Sequence, residues 1–321
     1  MTSILRAVLA ALACAGASAL MPALAQPSQV TIVVPYPPGG LSDTLARLTG
    51  KVLAQNMGTT VIVENKPGAN GVLGLQQIAH AKPDGSVIGM VPASVMTVNP
   101  ALYKDMKVDT LKDVVPLTLA ITLPNVLVVN PSVPAKTMAE LVAYMKQQAG
   151  KVSYGSMGTG SSAHLNGELL ARAEKLEITH VPYRGSGPAM QDLMAGNIQM
   201  AFENLPVALP FIQSGKLRAI GVTSSKPSAQ APDIPPIPRP IPESEANRWF
   251  ASIAPAALPR AVAERLHAEL VKAVQSEEVA KVMRERGAAI TTSTPQQMRA
   301  LVSEERDKWS RLVRERNISV E

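Results

Sequence analysis

Short apolar segments alternate with amphipathic segments along most of this chain, and that alternation limits the folds available to it. Near the N-terminus the apolar segments are 30–34, 60–64 and 86–91, and the segments 42–55 and 72–81 between them have helical periodicity. Continuous apolar strands connected by helices are typical of a parallel sheet covered by helices on both faces. The pattern therefore predicts an α/β fold whose ligands bind at the carboxyl ends of the strands.

A second series of alternating strands and helices follows, so we predict two lobes. Its predicted strands are 152–154, 178–182, 198–203 and 218–223, and its predicted helices are 138–148, 164–174, 188–195 and 207–214. The apolar run 117–129, broken at Pro124, predicts a crossing from the first lobe to the second, and 249–253 predicts the return crossing. Apolar stripes near the C-terminus predict helices that pack back on the first lobe. The predicted boundaries are 26–122 with 247–321 for lobe I, and 123–246 for lobe II.

The proline-rich segment 226–242 predicts an extended surface loop, because proline is excluded from helix interiors and central strands. The first 25 residues predict a cleaved secretory signal peptide, with Arg6 before an apolar stretch that ends in Ala23-Leu24-Ala25. A membrane anchor is the alternative, but small residues and a proline interrupt a stretch already short for a span of about 20 residues. Lipid anchoring at Cys14, the only cysteine, is a minor alternative. Cleavage would leave no cysteine for disulfides, thiol catalysis or metal binding.

The charge of the chain is modestly positive. Removal of the signal peptide would take only the Arg6 charge from the formal net charge of +6. Such an excess helps to steer small anions, but no stripe of lysine and arginine interleaved with aromatic residues suits nucleic acid. The most basic stretches, 281–286 and 311–316, alternate with acids and predict solvated helix faces.

Four segments rich in glycine, serine, asparagine and tyrosine fall where a predicted strand ends and a helix begins. They are 35–43, 65–71, 154–164 and 181–187. The first and the last follow the pattern VPY-x-x-x-G, and each would direct backbone N–H groups and the positive end of a helix dipole toward an anion. Two such turns on two lobes predict a ligand cleft between the lobes.

Several side chains of these segments have both a ligand-binding and a packing interpretation. Tyr36, Tyr154 and Tyr183 can cover a small ligand and donate a hydroxyl to it, or they can simply pack their own loops. Arg184 faces either ligand or solvent. Glu203-Asn204, at the end of a strand, suits either ligand contact or a clamp between the lobes.

Other polar side chains have ordinary structural explanations too. Among Ser156, Ser161 and Ser162, at the start of a helix, we expect one to cap the helix and another to face the ligand. Asp43 and Arg47 are four residues apart on a helix, which predicts an ion pair.

Catalytic and cofactor sites find little support in the sequence. His164 shares a loop with serines, so an exported hydrolase or lyase is the alternative function, although no G-x-S-x-G motif is present. Gly158-Thr159-Gly160 followed by Ala163 weakly matches the dinucleotide fingerprint, but the acid at the required spacing falls at a helix end. The histidines have no metal-ligand spacing. We therefore expect no catalytic residue, no cofactor and no metal.

Four ordered motifs resemble those of one known family. PYPPGGLSDTLAR, NKPGANGVLG with the downstream KPDG, YGSMGTGSSAHLNGELL and VPYRGSGPAMQDLMAGNIQMAFENL are similar to motifs of the tripartite tricarboxylate transporter receptors, the Bug-type periplasmic solute-binding proteins. The resemblance runs over nearly the whole predicted mature chain. It implies a two-lobe periplasmic binding fold, type II-like, in which each lobe is a mostly parallel sheet flanked by helices and two crossover segments join the lobes. It also implies closure on a small organic anion, commonly a carboxylate, and delivery to a membrane transporter.

The resemblance further implies how the ligand is held. Backbone N–H groups and bridging waters at 38–43 and 158–162 would bind the carboxylate. Three departures are Asn70 where glycine is usual, Glu203 where aspartate is common, and the proline-dense 232–242 in place of a more regular loop; the first two bear on the identity of the ligand. The expected partners are the anion and the transporter subunits, with no nucleic acid, and we expect a periplasmic monomer. The candidate ligand-binding residues are Tyr36, Pro38, Gly39, Gly40, Ser42, Asp43, Asn70, Ser94, Ser156, Gly158, Thr159, Gly160, Ser161, Ser162, His164, Tyr183, Arg184, Glu203 and Asn204.

Overall fold

The computed structural model describes residues 27–238, 249–316 and 318. The predicted signal peptide, residues 1–25 with Cys14, lies outside these residues, and so does the predicted lobe boundary between 246 and 247. Within the described residues, no helix has the length and apolar character needed to cross a membrane.

The regular elements alternate as the sequence predicts. The strands are β1 (Gln29–Val34), β2 (Thr60–Asn65), β3 (Val87–Pro92), β4 (Val114–Thr122), β5 (Asn125–Val129), β6 (Val152–Ser156), β7 (Ile178–Pro182), β8 (Met200–Asn204), β9 (Arg218–Val222), β10 (Trp249–Pro255) and β11 (Ala289–Ile290). The helices are α1 (Leu41–Met57), α2 (Val72–Ala79), α3 (Ala93–Thr97), α4 (Asn99–Leu102), α5 (Met138–Gln147), α6 (Ser162–Glu174), α7 (Ser186–Ala195), α8 (Leu205–Gln213), α9 (Arg260–Gln275), α10 (Glu277–Glu285) and α11 (Pro295–Arg316). A 3₁₀ turn, Ala69–Gly71, precedes α2.

The strands form two sheets. A six-stranded sheet has the order β11-β4-β10-β3-β1-β2, and a five-stranded sheet has the order β7-β6-β8-β5-β9. We call the part of the chain built on the six-stranded sheet lobe I and the part built on the five-stranded sheet lobe II. The prediction of an α/β fold with two lobes is confirmed.

The prediction that each sheet is mostly parallel is wrong, because both sheets are mixed. In lobe I, β1 runs parallel to β2 and β3, whereas β10 runs antiparallel to β3 and β4. In lobe II, β6 runs parallel to β7 and β8, whereas β5 runs antiparallel to β8 and β9. Strands joined by a helix return in the same direction. The strands β5 and β10 instead follow a strand of the other lobe in the chain, and they run antiparallel to their neighbours.

Both faces of each sheet are covered by helices, which explains the continuous apolar strands. In lobe I, α1, α9 and α10 pack on one face and α2, α3 and α11 on the other. In lobe II, α5 and α6 pack on one face and α7 and α8 on the other. The central strands β5, β8 and β10 are buried at every position. From the predicted C-terminal stripes, the residues buried in lobe I are Val262, Leu266, Leu270 and Val274 of α9 and Met298 and Val302 of α11.

The lobes are joined at the predicted crossing. β4 ends at Thr122 in one sheet and β5 begins at Asn125 in the other, so Leu123 and Pro124 carry the chain between the lobes. The return crossing lies between β9 and β10 and includes residues outside the described ones. In its described part, the proline-rich segment has no helix or named strand, although Ala231 and Ile234 are buried and pack on lobe II rather than facing solvent.

The lobes also touch through an apolar cluster away from the crossings. Leu165 and Leu169 of α6 in lobe II pack with Leu102 of α4 and with Trp309 of α11 in lobe I. This contact holds α6, whose first turn borders the cleft, against lobe I.

Candidate functional site

A cavity of about 160 Å³ lies between the lobes, where the turns that follow β1, β6 and β7 meet. Its lobe I wall consists of residues 36–42, Pro92, Ser94 and Phe250. Its lobe II wall consists of Met157, Ser161, Ser162, residues 184–188 and Asn204. The cavity therefore occupies the carboxyl ends of the parallel strands, where an α/β sheet binds its ligands. We call it the central cavity.

Two helices start at the central cavity without a side-chain cap. The N-cap of α1 is Gly40 and that of α7 is Gly185, and neither helix receives a capping hydrogen bond from a side chain. The first N–H groups of a helix have no partner within the helix, so these groups remain available to a ligand. Gly39 (φ +87°) and Gly185 (φ +108°) have positive φ angles that favour glycine, which explains the residue type in both turns. One helix start from each lobe thus presents the positive end of its dipole to the same space.

Asp43 fixes the shape of the first of these turns from behind the wall. Its carboxylate accepts hydrogen bonds from the Gly39 N–H, from Arg47 Nε and from Asn65 Nδ2, each at 3.0 Å. Burial acts to raise the pKa of this carboxyl, but the hydrogen bonds from Arg47, Gly39 and Asn65 outweigh it and leave the pKa below its ordinary value. The predicted ion pair with Arg47 is present, at 2.9 Å.

The wall of the central cavity favours negative charge. Arg184 lies in it with an exposed side chain, and no ion pair joins Arg184 to another of the described residues. None of the described residues in this wall is an aspartate or a glutamate. An anion that enters therefore meets one unpaired cation and two helix N-termini, and no carboxylate in the described wall.

A second cavity, of about 500 Å³, adjoins the central one on the side of the 3₁₀ turn. Tyr36, Met157 and Arg184 line both cavities. The Tyr36 hydroxyl donates to Asn70 Oδ1, and the Tyr183 hydroxyl donates to Asp192 Oδ2 at 2.6 Å.

Both of these tyrosine hydroxyls stay protonated at neutral pH. Burial raises the pKa of Tyr36, and burial together with the hydrogen bond to Asp192 raises the pKa of Tyr183 to about 12. Because each hydroxyl already donates to a protein acceptor, these tyrosines position the edge of the cleft in the structure described.

Polar contacts between the lobes close this side of the cleft. Tyr103 of lobe I donates its hydroxyl to the Thr159 carbonyl of lobe II at 3.3 Å. Asn70 adopts a left-handed conformation (φ +48°), and its Nδ2 donates to Asn99 Oδ1 at 2.9 Å. Asn70 and Asn99 together border Gly160 of lobe II.

His164 is buried beside the cavity and does not face the serines of its loop. Its Nδ1 accepts the Gly160 N–H at 3.0 Å, and its Nε2 lies 3.9 Å from Glu168 Oε1. Its ring stacks on His180 with a centroid separation of 4.1 Å. Burial lowers the pKa of His180 to about 3 and also lowers the pKa of His164, so the stack is uncharged at neutral pH.

The serines of this loop are likewise engaged by groups other than the His164 ring. Ser161 Oγ caps α6 by accepting the His164 backbone N–H, and Ser162 Oγ accepts Asn125 Nδ2 at 3.1 Å. Ser156 Oγ lies 2.7 Å from His180 Nε2. Nucleophilic catalysis needs a nucleophile in hydrogen-bond reach of a base. The loop provides no such pair at His164.

Glu203 lies directly behind the lobe II wall. It lies in β8 next to the last residue of the strand, is 1 % exposed, and its Oε1 accepts the Asn204 N–H at 2.7 Å. Burial raises its pKa to about 7, although hydrogen bonds from Asn204 and Ser186 act in the opposite direction. Ser186 and Asn204 both line the central cavity, so one residue layer separates this carboxyl from the ligand space.

A comparison with models of protein families shows which family the chain belongs to. The model described as "Tripartite tricarboxylate transporter family receptor" matches residues 45–318. The chain belongs to this receptor family. The resemblance stated from the sequence motifs is thereby confirmed.

Individual relatives agree with membership of the receptor family. BugT of Bordetella pertussis is 33% identical over 318 residues, which cover 98% of each chain. A solved structure described as R. palustris Rpa4515 with adipate is 30% identical, with a TM-score of 0.86 over 91% of this chain and 98% of that one. MatC of Rhodopseudomonas palustris with bound malate is 28% identical, with a TM-score of 0.83 over 89% of this chain and 98% of that one.

The candidate residues of this receptor family member fall into three groups, according to the cavity that they line. Those that line the central cavity are Tyr36, Pro38, Gly39, Gly40, Ser42, Ser94, Ser161, Ser162, Arg184 and Asn204. Those that line the adjoining cavity alone are Asn70, Gly158, Thr159 and Tyr183. Those that line neither are Asp43, Ser156, Gly160, His164 and Glu203. A direct ligand contact by any of these residues stays a prediction.

Some wall residues of this receptor were not selected from the sequence. Ser186 and Gly187 lie in the VPYRGSG motif, and their position at a helix start was a usable signal. Met157 lies inside another of the motifs. Pro92 and Phe250 reach the wall only because β3 and β10 are neighbours in the sheet, and nothing local in the sequence indicates that. Among the described residues, no group of three or more histidine, cysteine or acidic side chains is arranged to hold a metal ion.

Proposed function

We propose that this protein is a periplasmic solute-binding receptor that captures a small organic anion, a carboxylate, by lobe closure and delivers it to a membrane transporter of the tripartite tricarboxylate type. The observation that carries the proposal is the convergence of two uncapped helix N-termini, one from each lobe, on a cavity whose described wall contains no acid. Adipate and malate, the carboxylates named with two similar structures, are ligands of the same chemical class.

The proposed capture uses groups from both lobes. Carboxylate oxygens accept N–H groups from the first turns of α1 and α7, and Arg184 supplies a charge-assisted hydrogen bond. Hydroxyls of Ser42 and Ser94 lie in the same wall. Closure removes water from these contacts and strengthens them. The anion shifts the equilibrium toward the closed state because only that state presents both helix starts to it.

Export and a monomeric state complete the proposal. The predicted signal peptide, residues 1–25, would deliver the chain to the periplasm, where the ligand meets it. We propose a monomeric receptor in which the two lobes of one chain supply both walls of the central cavity.

A ligand screen tests the proposal. Mature protein, unfolded and refolded to strip bound ligand, is heated with mono-, di- and tricarboxylates, aromatic acids and acidic amino acids, and with the corresponding neutral amides as matched controls. At about 100 times Kd, a ligand of the folded state should raise Tm by about 5 to 10 °C. We expect a saturable shift with one carboxylate class, none with its amides, and recovery of the ligand unchanged. Absence of any carboxylate shift, or chemical conversion of the ligand, would overturn the receptor assignment.

Replacement of Arg184 by glutamine should lower carboxylate affinity by about tenfold. A hydrogen bond to a charged group contributes about 1.5–3 kcal/mol, and the exposure of Arg184 places it at the lower end. Lys216→Gln is the matched control, since it removes an exposed lobe II cation that lines neither cavity. Isothermal titration calorimetry measures both variants. Equal losses in the two would show that Arg184 acts only through long-range attraction.

A further inference from the structure

A third cavity opens beside the central one between α1, α7 and α8, and we call it the side chamber. It has a volume of about 500 Å³. Four residues line both the side chamber and the central cavity: Gly39, Leu41, Ser186 and Gly187. These residues form the two helix starts to which the proposed function assigns the carboxylate. A ligand bound there therefore lies at the entrance to the side chamber.

Glycines form part of the wall that the central cavity and the side chamber share. A Cβ atom added to Gly39 or to Gly187 would meet no other atom within 4 Å. The helix starts thus leave room for a chain to pass between them. A side chain at either position would occupy that room.

Apart from Ser186, Gln191 and Arg286, the residues that line the side chamber are apolar or glycine. Met190, Met194, Val207 and Phe211 contribute thioether, aliphatic and aromatic surface. Arg286 lies at the exposed edge and forms no ion pair with another of the described residues. Methionine side chains adapt to ligand chains of different shape, and burial of methylene groups against an apolar lining is energetically favourable.

We propose that the side chamber binds the distal part of a chain-bearing carboxylate, with the methylene chain on the methionine and phenylalanine side chains and a second carboxylate at Arg286. This inference rests on the proposed function, since it requires the first carboxylate to bind at the starts of α1 and α7. It assigns medium-chain α,ω-dicarboxylates as the preferred substrate class. A ligand confined to the central cavity would leave the apolar lining in contact with water.

A chain-length series tests the side chamber. Titration calorimetry is performed with straight-chain α,ω-dicarboxylates from four to twelve carbons and with monocarboxylates of equal length. Each methylene that enters the side chamber should raise affinity by about fourfold. Met194→Ala should reduce that gain for the long members and leave the four-carbon dicarboxylate unaffected. Met138→Ala is the matched control, because Met138 is also half-buried on a lobe II helix but lines none of these cavities.

A separate variant tests the distal carboxylate. Arg286→Gln should weaken long dicarboxylates to the level of monocarboxylates of equal length, by about tenfold, without changing the monocarboxylates. An affinity maximum at four carbons, or equal effects of Met194→Ala on short and long ligands, would overturn the side chamber as a subsite. An unchanged preference for dicarboxylates in Arg286→Gln would overturn the role of Arg286. Failure of every carboxylate to bind would instead count against the proposed function.

Discussion

Replacement of Gly160 by alanine should weaken ligand binding by about ten- to a hundredfold, with no greater loss of folding stability than the same change causes at Gly150. Both glycines have positive φ angles, +82° at Gly160 and +74° at Gly150. Backbone strain from alanine should therefore destabilise the folded protein by about 1–2 kcal/mol at either position. The two positions differ in what surrounds the added methyl group. Only Gly160 lies against the other lobe.

The added Cβ at Gly160 would lie 2.9 Å from Leu102 Cδ1 and 3.0 Å from Asn70 Nδ2, both in lobe I. Asn70 cannot easily give way, because its side chain is hydrogen-bonded to Tyr36 and Asn99. Overpacking of this kind costs about 1–3 kcal/mol. Opening of the lobes would relieve the clash without unfolding the protein. The cost therefore falls on the closed state, and it appears as lost ligand affinity.

Calorimetric titration and urea unfolding of the two variants separate these effects. At Gly150 the added Cβ meets no atom within 4 Å, so Gly150→Ala reports backbone strain alone. We expect similar free energies of unfolding for the two variants and a loss of affinity only in Gly160→Ala. If both variants bind the ligand as well as the parent protein does, closure does not require the contact of Gly160 with Asn70.

The fold was predictable because its elements are encoded locally. The sequence predicts the strand 178–182 with its observed ends, since the β-branched residues Ile178, Thr179 and Val181 precede a glycine turn. The helix predicted from 164 starts at Ser162, because Ser161 is the cap. The mixed pairing of the sheets was missed because it depends on how crossing strands enter each sheet. Strand direction leaves no mark in the periodicity of one strand.

The site was predictable where it consists of helix starts and less so where it depends on distant contacts. The VPY-x-x-x-G turns indicate both helix starts as candidate anion sites, and the structure places both at one cavity. The neighbourhood of His164 and the serines suggested catalysis in sequence, but the ring is turned to Gly160 and Glu168. The side chamber combines α7 and α8 with Arg286 of a distant segment, a combination that no single segment reveals.

The free energy of unfolding of the parent protein should fall as pH rises toward neutrality, and Glu203→Gln should remove this fall. Burial raises the pKa of Glu203 from 4.5 to about 7 in the folded state. Between these two values the folded state binds more protons than the unfolded state, so the free energy of unfolding falls as pH rises. The contribution is fully present below about pH 4.5, and about 3 kcal/mol has been lost above pH 7.

Glutamine reproduces the protonated acid, since its oxygen can accept the Asn204 N–H and its amide carries no charge. The variant and the parent protein should therefore unfold with similar free energies at pH 5, and the variant should be more stable by about 2–3 kcal/mol at pH 8.

Because His180 also makes stability depend on pH, the test uses the difference in the free energy of unfolding between Glu203→Gln and the parent protein at each pH. Its pKa is lowered from 6.5 to about 3, so its contribution to stability rises with pH over a window that overlaps that of Glu203. His180 is present in both proteins, and subtraction of the two pH profiles cancels it. Urea unfolding from pH 4 to 9 supplies the profiles, with Glu285→Gln as a control for removal of a carboxylate at an exposed position. A pH-independent difference for Glu203→Gln would mean that Glu203 has the same pKa in the folded and unfolded states, and that the lobe II wall is backed by a carboxylate charge at neutral pH.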